Sequence, residues 1–132
     1  METGGSSTRG IHLLAELYGC DRDATSDLET VRRAMRKAAH ASGSSVVSEH
    51  FIPLHPGVTG VIVVMESHLS VHTWPESGYA SVDVYTCGLK RDPEASLLVI
   101  RDAFNPKYIQ TMTVERGVRG GLRQLSEARP KV

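Results

Sequence analysis

Aromatic residues make up only 5% of this 132-residue chain, cysteine occurs twice, and its 15 basic side chains are balanced by 15 acidic ones. Each scarcity excludes something. Few rings and no net charge argue against a nucleic-acid surface, which needs clustered cations and stacking platforms. Cys20 and Cys87 are too few and too far apart in sequence for a disulfide framework. No apolar run approaches the ~20 residues that span a bilayer, so no membrane partner is expected, and no period of ~20–50 residues marks a repeat array. The polar start METGGSSTRG does not read as a secretory signal, so a reducing cytoplasm, where a thiol can serve chemistry, is the expected compartment.

What is present is one domain of ordinary composition, 40% hydrophobic, able to bury about two thirds of its unfolded surface. Residues 1–9 are expected as a flexible lead, 10–116 as the single catalytic domain, and 117–132 as a flexible tail. That tail, GVRGGLRQLSEARPKV, mixes glycine with arginine, and the bland reading, a solvated end, is preferred to an RNA contact.

Between the ends, strands and helices alternate. Ile11 to Tyr18 reads as a strand ended by Gly19. Ser26 and Glu29 match a capping box, and Leu28, Val31, Met35 and Ala38 recur at helical spacing, predicting a helix from about Asp27 to Ala41. Val46 to Phe51, the β-branched run Val58 to Met65, His68 to Trp74 and Tyr79 to Thr86 read as strands. Asp92 and Pro93 open a second helix, and Lys107 to Val114 closes the domain as a last strand. Strands outnumber helices and two can join as a hairpin. The expected class is α+β, a mainly antiparallel sheet with helices on one face.

Chemistry-bearing side chains gather in MESHLSVHTWPE, Met65 to Glu76. Strand alternation puts His68, Ser70 and His72 on one face and Ser67, Leu69 and Val71 on the other, so Ser67 and His72 do not meet unless the strand bends. A serine hydrolase would need a glycine-flanked nucleophile elbow, which Glu66-Ser67-His68 lacks. A metal site from His55, His68 and His72 would need tighter ligand spacing and a second-shell carboxylate, so hydrogen-bonded strand histidines are the simpler account and no metal is expected.

Three segments together carry a resemblance: GIHLLAELYGCD at Gly10–Asp21, GVTGVIVVMESHLSVHTWPESGYASVDVYTCG at Gly57–Gly88, and the helix after Pro93. They resemble the prokaryotic S-adenosylmethionine decarboxylases, over about Gly10 to Phe104. The resemblance implies that family's fold and a proenzyme that cuts itself between Glu66 and Ser67 into a β chain, 1–66, and an α chain, 67–132. Ser67 would become a covalent pyruvoyl group, the one cofactor implied, on which the substrate amine is held as a Schiff base. A serine suits this because its β-hydroxyl can attack the preceding carbonyl and then leave from Cβ. His72 matches the family histidine that assists processing, and Thr59 keeps a hydroxyl where the family has a serine. Cys87 matches the cysteine that returns a proton to the substrate, whereas Cys20 has no such counterpart and is expected to pack. Family members of this length work as homodimers of processed protomers.

The segment before Gly57 departs from the family. Its pattern, Phe-His-x-Phe-x-Pro-x-Gly, places an adenine-stacking ring where this chain has Pro53; a slip of register would instead bring in Phe51. Losing a stacked base costs about 1–3 kcal/mol. The departure favours a basic amino acid, L-ornithine or L-arginine decarboxylated to putrescine or agmatine, with Glu76 and Glu49 as carboxylates for its cationic end. The alternative is S-adenosylmethionine itself, with Glu76 on the ribose hydroxyls and the product feeding spermidine synthesis. A non-catalytic family member is a third reading, disfavoured by the intact Ser67, His72 and Cys87.

Overall fold

The computed structural model describes residues 8–65, 67–88 and 91–128. Seven strands form one sheet: β1 (Gly10–Tyr18), β2 (Val46–Pro53), β3 (Val58–Val64), β4 (Ser67–Trp74), β5 (Tyr79–Cys87), β6 (Tyr108–Arg116) and β7 (Arg123–Ala128). The spatial order is β2-β3-β4-β5-β1-β6-β7, and every neighbouring pair is antiparallel. Helices α1 (Arg22–Ser26), α2 (Leu28–Ala41) and α3 (Pro93–Phe104) complete the α+β fold expected from the sequence, with α2 and α3 packed on each other and against the sheet.

Alternation divides the sheet into two faces. One row of β1, β3, β4 and β5, including Leu13, Leu17, Ile62, Leu69, Val71, Val82 and Val84, is fully or almost fully buried against Val31, Met35, Ala38, Leu97, Ile100 and Phe104 of the helices. Burying each such aliphatic side chain contributes about 1.5–3 kcal/mol, so this layer holds the fold. The other row has no helix over it and carries half-exposed apolar side chains such as Leu14 and Val63, at 38% and 40%.

Two expectations need correction. The capping box at Ser26 does not form, because Ser26 is already the last residue of α1, itself capped by Asp21; Asp27 caps α2 instead, its carboxylate accepting from the Thr30 N–H at 3.0 Å and the Thr30 hydroxyl at 2.6 Å. The segment after Gly117, expected as a flexible tail, carries β7, which extends the sheet beside β6; Arg123 reaches Glu115 at 3.2 Å, and Arg9 pairs with the same carboxylate. Of the N-terminal lead, 1–7 lie outside the described residues. At α3 the expectation stands: Asp92 accepts from the Ala95 N–H at 3.2 Å, Pro93 takes the first turn, and Asn105, at φ 48°, ends the helix.

Candidate active site

Strand β4 runs along the uncovered face between β3 and β5 with unbroken register on both sides, Thr59 opposite His72 and His68 opposite Tyr85. No bulge intervenes between Ser67 and His72. The two residues stand five positions apart on one strand, about 16 Å at ~3.3 Å per residue, and belong to different ends of the sheet.

At the His72 end, Thr59 Oγ1 and His72 Nδ1 lie 3.1 Å apart, joined by a hydrogen bond across β3 and β4. They open onto a cleft of about 180 Å³ whose other walls include Leu54, Gly57, Trp74 and Glu76. The floor is built around Thr73, whose buried hydroxyl donates to the Thr25 carbonyl and accepts from the Val58 N–H, both at 2.8 Å, tying α1 to β3. Gly57 is needed here because a Cβ would sit 2.2 Å from the Thr73 carbonyl oxygen. Glu76 is carried on the short 3-10 turn Pro75–Ser77, anchored by the buried Pro75 and closed by Gly78 in the left-handed region at φ 63°.

At the other end, Ser67 begins β4 opposite Val64 and is partly buried. Cys87 ends β5, two positions past the Tyr85 that faces His68, and pairs with Gly10 of β1. The absent side chain of Gly10 makes room, since a Cβ there would lie 2.6 Å from the Tyr85 ring and 3.0 Å from Cys87 Sγ. Tyr85 also meets the edge of His68 at 5.7 Å, the His12 ring at 5.6 Å, and the Arg116 guanidinium 4.6 Å over its face. Burial first, and the neighbouring Cys87 second, push the Tyr85 phenol above its ordinary value. Between the two ends, Asp83 accepts from Ser70 at 3.0 Å and pairs with His12 Nε2 at 2.9 Å; that hydrogen bond is the main reason its carboxyl is held below the usual range.

Other predicted residues lie apart. Glu49 is not at the cleft: it stands on the helix-covered side, ion-paired with Arg32 at 2.7 Å and with Arg36, which together lower its pKa. Pro53 is exposed at the end of β2 opposite Val58, and the next residue, Leu54, is the one that walls the cleft. Phe51 packs over Gly60, within 2.1 Å of where a Cβ would be, and joins the core. Cys20 is buried near the Leu17 carbonyl, and burial pushes its thiol up to about 11. Glu66 lies outside the described residues. A larger cavity, about 880 Å³ beside Cys20, Arg101 and Lys107, holds none of the motif residues. Trp74, Leu54, Tyr85, His12 and Asp83 were missed by sequence reasoning, although alternation along Asp83, Tyr85 and Cys87 already placed those three in one row.

With this geometry in hand, comparison with known proteins is decisive. The family model for S-adenosylmethionine decarboxylase matches residues 11–117. An S-adenosylmethionine decarboxylase proenzyme of Persephonella marina is 45% identical over 111 residues, 83% of this chain and 84% of that protein. The one from Thermococcus gammatolerans is 42% identical over 112 residues, 84% of this chain and 78% of that protein. The crystal structure of the adenosylmethionine decarboxylase from Aquifex aeolicus superposes with a TM-score of 0.78 at 38% identity, covering 86% of this chain and 94% of that one. These relatives overturn the expectation of ornithine or arginine and favour the alternative, S-adenosylmethionine. The error lay in treating Pro53 as an index of substrate, when the cleft wall is formed by Leu54 and Trp74 and the second carboxylate, Glu49, is already neutralised by two arginines. The match of sequence and fold across nearly the whole domain leaves one conclusion: the chain belongs to the S-adenosylmethionine decarboxylase family.

Proposed function

We propose that this chain is a self-cleaving, pyruvoyl-dependent decarboxylase of S-adenosylmethionine, making the aminopropyl donor for spermidine synthesis. The observation that carries the reading is the Thr59–His72 hydrogen bond, set in a cleft with Glu76 in a chain that matches the family over residues 11–117.

In maturation, the Ser67 hydroxyl attacks the Glu66 carbonyl, converting the peptide bond to an ester; β-elimination then frees the Glu66 carboxylate and leaves a dehydroalanine at position 67, whose imine tautomer is hydrolysed by water to a keto group with loss of ammonia. The sheet suits such a cut. β3 and β4 are each held by neighbours on both sides, and β1 of the front fragment lies between β5 and β6 of the rear one, so both fragments stay in register. A serine at the first position of β4, whose neighbour β5 ends at Cys87, fits a group formed at position 67. That group supplies a carbonyl that holds the substrate amine and takes up the electron pair released with carbon dioxide. Cys87 returns a proton to the substrate α-carbon, and Glu76 holds the ribose hydroxyls.

His72, paired with Thr59, assists the cut, yet stands about 16 Å from Ser67 of its own chain at ~3.3 Å per residue. A second copy resolves this. Turned about a two-fold axis over the uncovered faces, it sets its own Thr59, His72 and Glu76 against this Ser67 and Cys87, and the reverse. Two features support the arrangement. The uncovered face carries exposed Leu14 and Val63. The cleft, at about 180 Å³, falls short of the ~300–1,000 Å³ of complete ligand pockets. The working unit is therefore a homodimer, in the cytoplasm, where Cys87 stays reduced. Among the described residues no helix is long and apolar enough to cross a membrane.

The test is release of carbon dioxide by the purified protein from S-adenosylmethionine, ornithine and arginine, with intact mass alongside. Turnover of S-adenosylmethionine by two fragments is expected. A single chain of 14.4 kDa inert toward all three would refute it.

A further inference from the structure

Gly10 opens β1, and neighbouring side chains lean into the space its missing Cβ leaves. A Cβ at that position would lie 2.6 Å from the Tyr85 ring, 2.9 Å from its hydroxyl and 3.0 Å from Cys87 Sγ, so ring, hydroxyl and thiol converge on one spot. The register explains the convergence. Gly10 pairs with Cys87 on β5 and with Arg116 on β6, and Tyr85 stands two positions before Cys87, on the same face of its strand. The ring is also held from other sides: the Arg116 guanidinium lies 4.6 Å over its face, His68 meets it edge-on at 5.7 Å, and the His12 ring tilts against it at 5.6 Å. Burial, then the charge of Cys87 and a hydrogen bond to it, keep the phenol above its ordinary value, so Tyr85 retains its proton and is the donor toward sulfur.

We propose that Tyr85 is a positioning residue for Cys87, its hydroxyl donating to Sγ and turning the thiol toward the reacting carbon. This rests on Cys87 as the proton donor of the proposed function. The physical reason lies in the charge that sulfur acquires. As the thiol proton passes to the substrate α-carbon, the S–H bonding pair stays on sulfur and leaves a thiolate; the Tyr85 O–H keeps its own proton throughout, and water later returns one to Cys87. A hydrogen bond to an ionised partner is roughly twice as strong as one between neutral groups. The Tyr85 bond therefore strengthens as the proton leaves, and an interaction stronger in the transition state than in the ground state raises kcat rather than lowering KM. Arg116 adds to this, since a cation on the ring face draws electron density from the phenol and makes its O–H a better donor.

Tyr85→Phe keeps the ring and its packing and removes only the hydroxyl. The purified variant should cut itself as wild type does, and for product formation from S-adenosylmethionine its kcat should fall about ten- to a hundredfold, the usual effect of losing a hydrogen bond to a charged group, with KM nearly unchanged. The decisive measurement is the double variant. Because the hydroxyl acts through sulfur, Tyr85→Phe should cost nothing further in a Cys87→Ala chain, whereas a residue that only shapes the strand costs the same in both backgrounds. Equal losses in the two backgrounds, or a wild-type kcat in Tyr85→Phe, overturn the positioning role and leave Cys87 as the donor. Full product formation by Cys87→Ala overturns the reading on which it rests. Should Tyr85→Phe fail to mature, Arg116→Gln, which leaves the phenol in place, decides by the same comparison: about two- to fivefold slower alone and no slower beside Cys87→Ala, with an equal loss in both, or none in either, overturning the proposal.

Discussion

Strand β4 begins at Ser67, with Cys87 at the end of the neighbouring strand, and carries His72 five positions along, hydrogen-bonded to Thr59. The two ends differ in build. Around the first, Tyr85 gathers His12, His68 and Arg116, and Gly10 leaves room for Tyr85 and the Cys87 thiol. Around the second, Leu54, Trp74 and Glu76 wall a cleft shaped to hold something. Under the function proposed above, the first end makes and protonates, and the second binds and assists. A straight strand keeps them apart, so on the proposed reading one chain carries two halves of a site and completes neither.

The largest effect comes from the first end. Ser67→Ala removes the hydroxyl that, on the proposed reading, attacks the Glu66 carbonyl, so cleavage and decarboxylation should both disappear, giving one uncut band on a denaturing gel. Efficient cleavage in that variant breaks the comparison at once. The next largest tests the separation of the ends. His72→Ala alone should cleave poorly, yet co-expressed with Ser67→Ala it should recover, because a mixed dimer holds one site with an intact Ser67 from one chain and an intact His72 from the other. A His72→Ala chain that stays uncut in demonstrated mixed dimers would show that both groups act within one protomer.

Chemistry and binding should then part company. Cys87→Ala is expected to cleave normally but lose decarboxylation by a factor on the order of 10² to 10⁴, the usual worth of a positioned proton donor. Single-turnover assays on the purified, processed variant check this. Glu76→Gln keeps shape and loses a charged acceptor, about 1.5–3 kcal/mol, so KM for S-adenosylmethionine should rise about ten- to a hundredfold with kcat nearly unchanged. If kcat falls instead, Glu76 belongs with the reacting groups and the two ends are less distinct than drawn.

How far the sequence foretold this depends on how local each signal is. The class, six of the seven strands and the opposition of Ser67 and His72 follow from period-two alternation, which a sequence displays directly. The role of Glu49 does not, because its partners Arg32 and Arg36 sit on α2 and reach it only when the helix packs on the sheet. β7 was hidden for a related reason: its residues RQLSEA are all exposed, so no buried row imposes a pattern. The cleft was half legible. His72 and Glu76 lie in the motif, whereas Leu54 arrives through the turn closed by its N–H to the Gly57 carbonyl at 2.7 Å. Substrate was misjudged because position 53 was read as a cleft wall, whereas the fold sets Leu54 and Trp74 there.

The smallest effect tests the row between the two ends. Asp83, bound to His12 and Ser70, is placed to hold β1, β5 and β4 together and takes no part in the chemistry assigned above. Its pKa is depressed in the fold, chiefly by the His12 hydrogen bond. A depressed carboxyl stabilises the native state above its unfolded value, and that contribution is lost as pH falls through the lower folded value. Wild type should therefore lose stability as pH falls through and below the ordinary carboxylate range, and Asp83→Asn should be less stable at neutral pH while showing a flatter decline on acidification. Urea midpoints across that range measure both. If Asp83→Asn instead keeps the wild-type midpoints and abolishes decarboxylation, the middle row is part of the reacting end, and the boundary between the two halves of β4 lies closer to His72 than the hydrogen bonds place it.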